Sequence, residues 1–293
     1  MFEGFQQQRI ATGGTEIALR IMGQGPPLLL LHGYPQTHVI WHRMAPVLAE
    51  RFTVVCADLR GYGDSGKPGS DATHAPYAKR AMAQDMVEVM AALGFDRFMV
   101  AGHDRGGRVV HRLCLDHPQR VARAAVLDIV PTRTLFRATN QALATGYYHW
   151  FFLIQPEPLP ERMIGADPVF YLHRKLGQWS AAKDLGWLAP EALDEYERCF
   201  ADPATIHGSC EDYRAAATID LEHDEADLEH RVGCPLLVLW GEQGLMHRHF
   251  DVLATWREKC AGPVEGRALP CGHFLPEEQP DTTGAELMRF FSA

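Results

Sequence analysis

The chain has 293 residues, of which 46% are hydrophobic and 22% are charged, a composition that is ordinary for a folded globular enzyme. The formal charge of −9 argues against a nucleic-acid-binding surface, so an anionic ligand would have to be held by individually placed cations. The seven cysteines form no Cys-x-x-Cys pair, and no apolar run is long enough to span a membrane. Because the amino terminus also lacks the pattern of a secretory signal, we expect a reduced, cytoplasmic protein with no disulfide framework and no membrane partner.

Five short apolar runs recur along the chain, each bounded by Gly, Pro or Asp. They lie at residues 26–33, 52–59, 97–103, 123–131 and 234–241. Continuous apolar runs of this length are typical of strands buried on both faces of a parallel sheet. Helix-length segments separate them, such as 79–93, in which apolar residues recur three and four positions apart. The alternation predicts an α/β sheet with helices on both faces.

The strand pattern stops after Pro131 and returns only at residue 235. Residues 132–226 contain aromatic, helix-like segments, of which 144–153 is the densest aromatic cluster in the chain. We therefore predict a helical cap at 132–226, inserted into an α/β core formed by 1–131 and 227–293. A cap in this place would cover the carboxyl ends of the strands, where ligands bind in open α/β folds.

The segment FMVAGHDRGGRVV, residues 98–110, has the pattern of a strand, a tight turn and the start of a helix. This is the layout of the G-x-S-x-G nucleophile elbow of hydrolases, with Asp104 in the position of the serine. An aspartate before a helix is commonly only an N-cap, but that role does not explain the glycines on both sides. The pattern therefore indicates that Asp104 is a nucleophile.

Other strand ends supply the partners that a nucleophile needs. Asp128 directly follows AAVL in the fourth apolar run and His273 lies in LPCGHF, which gives the hydrolase chain order of nucleophile, acid and histidine. Glu242, after the fifth run, is the alternative acid. The segment HGYP, residues 32–35, lies at the end of the first run, where an oxyanion-hole loop is expected, and the predicted backbone donors are the N–H groups of Tyr34 and Arg105.

An aspartate nucleophile predicts displacement at a saturated carbon. A serine would leave an ether there, which an activated water cannot readily cleave. Asp104 would instead leave an ester, which water activated by His273 can hydrolyse at the carbonyl. The reaction class is therefore carbon–halogen cleavage or epoxide opening.

Two arginines favour the first of these reactions. Arg105 and Arg108 are three residues apart on the helix that leaves the elbow, so they share a face. Guanidinium groups bind carboxylates bidentately, and a short haloacid needs such a clamp whereas an alkyl halide or a simple epoxide does not. The alternative is that each arginine pairs with a carboxylate of the cap or with Asp104.

A displaced halide needs hydrogen-bond donors, because leaving its hydration shell for a dry pocket is costly. His149, Trp150 and Tyr213 in the cap region are candidate donors. Taken alone, such residues are more typical of packing than of halide binding.

The sequence closely resembles the fluoroacetate (haloacetate) dehalogenases of the α/β-hydrolase superfamily. The resemblance runs through most of the chain and rests on the segments LLLLHGYPQ, TVVCADLRGYGDS, GHDRGGR, VLDIVPT, HGSCEDYRA and CGHF. It implies an α/β-hydrolase fold, with a mostly parallel eight-stranded sheet and an inserted helical cap. It also implies a homodimer that converts haloacetate and water to glycolate and halide without a cofactor.

The resemblance implies a role for each candidate residue. By this resemblance Asp104 is the nucleophile, and Asp128 and His273 complete the triad. Arg105 and Arg108 form the clamp that binds the substrate carboxylate. The donors of hydrogen bonds to the halide are His149, Trp150 and Tyr213. Lys175 and Trp179 match cap residues that lie near the substrate in some members. Tyr34 stands where many members have phenylalanine, and Cys271 where glycine is common.

Three other functions compete with this hypothesis. An epoxide hydrolase would share Asp104, but would use cap tyrosines to protonate the epoxide oxygen and would not require the two arginines. A small-molecule receptor on the same fold would be expected to have lost the triad, which is intact here. A metal site at His247 and His249 lacks an evident third ligand, so no metal is expected.

Overall fold

The centre of the protein is one eight-stranded sheet, described by a computed structural model of all residues, Met1–Ala293. The strands are β1 (Gln6–Ala11), β2 (Glu16–Met22), β3 (Pro27–Leu31), β4 (Thr53–Ala57), β5 (Phe98–His103), β6 (Val121–Leu127), β7 (Leu236–Gly241) and β8 (Val264–Leu269). Their order across the sheet is β1-β2-β4-β3-β5-β6-β7-β8. β2 runs antiparallel to both of its neighbours, and the remaining neighbouring pairs are parallel. The predicted mostly parallel sheet of eight strands is confirmed.

The five apolar runs form the middle of this sheet, as β3 to β7. β5 is buried along its whole length, which explains why its sequence does not alternate between apolar and polar residues. The outer strands β1 and β8 alternate between exposed and partly buried positions, so they carry no continuous apolar run.

Three helices precede β6 and pack around the sheet. They are α1 (Ala45–Leu48), α2 (Lys79–Ala92) and α3 (Arg105–Asp116), accompanied by short 3₁₀ helices at His38–Trp41 and Ala75–Tyr77. The helix predicted at 79–93 is α2. The start of α3 directly after β5 makes the sharp strand-to-helix turn that was predicted around residue 104.

Eight helices and no strand lie between β6 and β7. They are α4 (Thr132–Arg137), α5 (Gln141–Gly146), α6 (His149–Phe152), α7 (Leu159–Gly165), α8 (Pro168–Trp179), α9 (Pro190–Phe200), α10 (Pro203–Ala217) and α11 (Ile219–Ala226). The carboxylates of Asp167 and Asp202 accept backbone hydrogen bonds at the starts of α8 and α10, and a proline follows each of them. We call residues 132–226 the cap.

Four helices complete the chain around the last two strands. They are α12 (Leu245–His249), α13 (Val252–Arg257), α14 (Leu275–Glu278) and α15 (Pro280–Ser292). No helix in the protein is both long and apolar enough to cross a membrane. Since β3, β5, β6 and β7 are parallel neighbours, the loops at their carboxyl ends meet at one edge of the sheet, and this edge carries the candidate site.

Candidate active site

Asp104 occupies a strained turn between β5 and α3. Its φ is 45° and its ψ is −112°, a conformation that costs free energy for a residue with a side chain. Glycines make the turn possible, because a Cβ at Gly106 would lie 2.4 Å from the carbonyl oxygen of His32. A Cβ at Gly33 would lie 2.4 Å from the Cβ of Asp104, so the loop after β3 can approach the aspartate only as glycine.

The Asp104 carboxylate has one oxygen held by the backbone and one oxygen free. The N–H of Tyr34 donates to Oδ1 at 3.0 Å. The N–H of Arg105 makes no hydrogen bond to this carboxylate. The roles of these two N–H groups as oxyanion-hole donors stay predictions. Burial alone would raise the pKa of Asp104, but the charges of His273 and Arg105 outweigh it and lower the pKa, which keeps the carboxylate ionised.

His273 lies between two carboxylates. Its Nδ1 is 2.5 Å from Oδ2 of Asp128, and its Nε2 is 3.9 Å from Oδ2 of Asp104. Asp128 is itself fixed by the N–H of Gly241, which donates to its Oδ1 at 2.9 Å. Burial acts to lower the pKa of His273, but the hydrogen bond and charge of Asp128 raise it above its ordinary value. The alternative acid, Glu242, is exposed and makes no hydrogen bond to the histidine.

His103 is a positioning residue that the sequence analysis did not single out. It is fully buried, and its Nε2 lies 2.8 Å from the carbonyl oxygen of His273, to which a protonated Nε2 donates. Burial, together with the nearby His273, lowers the pKa of His103 to about 3, so its ring is neutral. His103 therefore fixes the backbone of the loop that carries His273.

Arg105 pairs with a carboxylate of the cap, as the alternative interpretation proposed. Its Nε and Nη2 donate to Oδ2 and Oδ1 of Asp212 at 2.8 Å and 2.7 Å. The third nitrogen, Nη1, is buried and has no hydrogen-bond partner. Arg105 therefore keeps one donor for a ligand, rather than the whole guanidinium.

Arg108 is less completely paired. Its Nη1 donates to the carbonyl oxygen of Val130 at 3.0 Å and to the hydroxyl of Thr132 at 3.1 Å, while its Nε is buried without a partner. Burial and the charge of Arg105 lower the pKa of Arg108 to about 10, which still leaves it charged at neutral pH. Both arginines thus have an unused buried N–H group, and the charges of both act on Asp104.

The three candidate halide donors form one buried cluster. The ring centroids of His149 and Trp150 lie 5.4 Å and 5.5 Å from that of Tyr213. Nδ1 of His149 and the hydroxyl of Tyr213 have no hydrogen-bond partner. Burial, with the charges of Lys175 and Arg105, holds the pKa of His149 well below its usual value, so its ring is neutral and carries one N–H donor.

The two remaining candidate residues of the cap, Trp179 and Lys175, lie at different distances from the triad. Trp179 lies near the triad, with its ring centroid 5.6 Å from that of His273 and 4.5 Å from that of His149. Lys175 is fully buried, and its Nζ lies 5.2 Å from the ring centroid of Trp179 and 3.5 Å from that of Tyr148. This Nζ has no hydrogen-bond partner. Burial and the charge of Arg174 lower the pKa of Lys175 to about 7.

A cavity of about 150 Å³ lies beside this region. Its walls include His273, Trp179 and Tyr147, and two cations, Lys183 and Arg248, also line it. Although the whole protein carries a formal charge of −9, two basic side chains therefore line the cavity that borders the histidine.

The family is established by comparison with known proteins. Residues 26–280 match the model of the α/β-hydrolase fold family. The chain belongs to the α/β-hydrolases. A curated fluoroacetate dehalogenase from a Burkholderia species is 49% identical over 292 residues, covering 100% of this chain and 95% of that protein. The resemblance recognised in the sequence and the assignment to the hydrolases are thereby confirmed.

Two further proteins are similar to this hydrolase in structure or sequence. A crystal structure of a protein described as an α/β-hydrolase, from Nostoc sp. PCC 7120, has a TM-score of 0.98 and 58% identity, covering 100% of this chain and 99% of that one. A soluble epoxide hydrolase from Corynebacterium sp. (strain C12) is 34% identical, covering 92% of this chain and 91% of that protein. Both carbon–halogen and epoxide chemistry are thus named among the hydrolase's relatives.

His247, one of the two histidines weighed above as metal ligands, accepts a hydrogen bond from a neighbouring tryptophan. Nδ1 of His247 lies 3.1 Å from Nε1 of Trp240, which donates to it, and no group of three or more His, Cys, Asp or Glu side chains is arranged to hold a metal ion.

Proposed function

We propose that the protein hydrolyses haloacetates, including fluoroacetate and chloroacetate, to glycolate and halide. The observation that carries the proposal is an ionised Asp104 flanked by two arginines, each with a buried and unused N–H group. Such donors suit a substrate with a carboxylate next to the reacting carbon. The dehalogenase at 49% identity supports the same chemistry.

In the first half of the reaction, Nη1 of Arg105 and Nε of Arg108 bind the substrate carboxylate. Oδ2 of Asp104 attacks the adjacent CH₂ carbon from the side opposite the halogen. The carbon–halogen bond breaks as the carbon–oxygen bond forms, and the halide leaves with the electron pair. His149, Trp150 and Tyr213 donate hydrogen bonds to the departing halide, and Asp104 is left as an ester of glycolate.

In the second half, Nε2 of His273 takes a proton from a water molecule, whose oxygen adds to the ester carbonyl of Asp104. The oxyanion forms on Oδ1 and accepts hydrogen bonds from the N–H groups of Tyr34 and Arg105. When the intermediate collapses, glycolate leaves and its oxygen takes the proton from His273. The second proton of the water, left on the Asp104 carboxyl, dissociates to solvent and restores the ionised carboxylate. The steps balance with substrate, water and side chains alone, so no cofactor is required.

Epoxide hydrolysis is the second candidate, favoured by the epoxide hydrolase at 34% identity and by the unpaired hydroxyl of Tyr213. In that reaction Tyr213 would protonate the epoxide oxygen as Asp104 opens the ring. The two arginines would then have no substrate group to bind. Buried donors left unsatisfied are destabilising, so this candidate explains less of the site.

The first test measures fluoride release from fluoroacetate by ion-selective electrode, with chloride release from chloroacetate alongside. We expect both halides from the wild type and neither from Asp104→Ala. Release of chloride but not of fluoride would support dehalogenation by Asp104 and would mean that the assignment of the fluoride donors is wrong. Turnover of styrene oxide, with no halide released from either acid, would favour the epoxide hydrolase.

A single turnover in ¹⁸O-labelled water tests the route. Because the glycolate oxygen comes from Asp104 and the water oxygen stays on the enzyme, the label should appear in the peptide that contains residue 104. Label in the first glycolate would instead indicate direct attack by water and exclude the ester.

The homodimer rests on the family resemblance and the cytoplasmic location on the sequence, and both stay predictions. Light scattering after size-exclusion chromatography would measure the mass in solution, and a monomer at the enzyme's working concentration would exclude the dimer.

A further inference from the structure

Asp212 is the best-connected buried carboxylate in the protein outside the triad. It lies on α10 and is fully buried, as is Arg105 on α3. Besides the two hydrogen bonds that Arg105 donates to its carboxylate, Asp212 accepts a third from Arg105 through its backbone carbonyl, from Nη2 at 3.0 Å. Three hydrogen bonds fix the plane of the guanidinium, and they leave Nη1 as its only unpaired nitrogen.

The same residue links the two ends of the proposed substrate site. Tyr213, the next residue on α10, lies under the arginine, with the guanidinium carbon of Arg105 4.1 Å from the centroid of the phenol ring. One turn of a cap helix thus sets both the direction of the carboxylate donor and the position of a halide donor. The distance between the two is fixed by the docking of α10 on the core.

A second cation shares Asp212. The ammonium group of Lys79, at the start of α2, is buried and donates to Oδ1 of Asp212, and it lies 3.5 Å from Oδ2 of Asp220. The hydroxyl of Tyr62 donates to Oδ2 of Asp212 at 2.7 Å. Burial favours the protonated form of Asp212, but the charges of Arg105 and Lys79 outweigh it and hold its pKa well below the usual range.

The charge arrangement explains why Asp212 does not abolish the clamp. A carboxylate paired with Arg105 alone would cancel the charge that a substrate needs. Here Lys79 and Asp220 complete a buried group of two cations and two anions, and Arg108 adds one further positive charge beside it. With the ionised Asp104 there are three cations and three anions around the pocket, so Asp212 does not give the pocket a net negative charge before a substrate binds.

We propose that Asp212 is the positioning residue of the carboxylate clamp. It orients Arg105 so that Nη1 alone faces the substrate, and because it shares its charge with Lys79 it neutralises Arg105 only in part. Specificity for short acids then depends on a residue that never touches the substrate. This inference rests on the proposed function and names the part of the site that selects a carboxylate.

The test is Asp212→Asn in the full-length protein, with two probes for the two ends of the site. Acetate carries a carboxylate without a halogen, and bromide is a halide without a carboxylate; the affinity of each is measured by calorimetry. We expect acetate to bind about tenfold more weakly or worse, because an oriented hydrogen bond to a charged group is lost. Bromide affinity should change less than about twofold. For chloroacetate, KM should rise by more than kcat falls.

A second variant covers the possibility that Asp212→Asn does not fold. Asp212→Asn combined with Lys79→Met removes one buried charge of each sign, so the remaining charges still balance, and it should show the same loss of acetate affinity. Asp85→Asn is the matched control, since Asp85 is a buried carboxylate that accepts two hydrogen bonds from another arginine, Arg60, outside the candidate site, and its acetate affinity should stay within about twofold of the wild type.

Acetate binding that equals the wild-type value in the folded variants, or that is absent from the wild type, would overturn the proposal. An equal loss of acetate and bromide affinity in both variants would also overturn it, since Asp212 would then have only a structural role. Halide release is scored separately. Acetate binding that depends on Asp212, in a wild type that releases no halide, would uphold the clamp and refute the dehalogenase.

Discussion

His273 Nε2 lies 3.9 Å from Oδ2 of Asp104, whereas its Nδ1 lies only 2.5 Å from Oδ2 of Asp128. The longer distance exceeds that of a hydrogen bond, so His273 does not tie up the attacking oxygen. The shorter one anchors the ring with Nε2 directed at the nucleophile. In the proposed mechanism, attack by Asp104 therefore has no need of the histidine, and hydrolysis of the resulting ester depends on it.

Replacing His273 with asparagine should separate the two steps. We expect His273→Asn to release about one halide per active site and then stop, because Asp104 can still attack but no base activates the water. Rapid-quench halide measurements would show the burst, and mass spectrometry would locate the ester on Asp104. Repeated turnover by this variant at the wild-type rate would remove the histidine from the mechanism.

The raised pKa of His273 predicts an acid limb in the pH profile. The histidine acts as a base only when neutral, so the rate should fall as the pH drops through its pKa. Because that pKa is raised, the limb should lie above the value of about 6.5 that is ordinary for histidine. The measurement is kcat against pH with chloroacetate. A profile that is flat down to pH 5 would contradict the prediction.

Two acid variants, compared side by side, test which carboxylate orients the histidine. Asp128→Asn should lower turnover by roughly 10²- to 10⁴-fold and move the acid limb to lower pH, since the charge that raises the pKa of His273 is gone. Glu242→Gln is the matched control and should leave both the rate and the limb unchanged, because the side chain is exposed. The reverse result would reassign the acid.

Much of the triad could be predicted from the sequence because parallel strands bring their ends together. Asp104 and Asp128 follow neighbouring strands, β5 and β6, so local sequence patterns place both at the same edge of the sheet. The strained elbow is also a local feature, visible as two glycines around an aspartate. These signals need no knowledge of distant contacts.

The pairing of Arg105 with Asp212 could not be predicted in this way. The two residues are 107 positions apart, and their contact depends on how α10 docks on α3. Lys79 and Asp220 are 141 positions apart. A sequence also does not show whether a charged side chain is buried or exposed to solvent. The only available signal was position, since Asp212 directly precedes a predicted halide donor. The short cap helices, of which α6 has only four residues, also have too few turns for a periodic pattern.

Arg108 should contribute to substrate binding through its free Nε. We expect Arg108→Gln to raise KM for chloroacetate by about 10- to 100-fold, the effect of losing a hydrogen bond to a charged group. Arg112→Gln is a control on the same helix, because Arg112 pairs with Asp116 and Asp227 away from the nucleophile. That control should lower the melting temperature without changing KM. An unchanged KM for Arg108→Gln would mean that Arg105 binds the substrate carboxylate without Arg108.

The hydroxyl of Tyr213 should matter more for fluoride than for chloride. It is buried without a hydrogen-bond partner, so it is available to a leaving halide. Fluoride is the smaller and more strongly hydrated ion, and the loss of one donor from a dry pocket therefore raises its barrier further. We expect Tyr213→Phe to lower kcat/KM for fluoroacetate by about 10- to 100-fold and that for chloroacetate by less than about fivefold.

Tyr77→Phe is a suitable control for that comparison. Tyr77 is also buried, but its hydroxyl donates to the carbonyl oxygen of Pro68 at 2.7 Å, outside the candidate site. Its removal should reduce stability by about 1 kcal/mol and leave the ratio of fluoride to chloride turnover unchanged. If Tyr213→Phe lowered both rates equally, the hydroxyl would serve substrate positioning, and discrimination between the halides would have to come from His149 and Trp150.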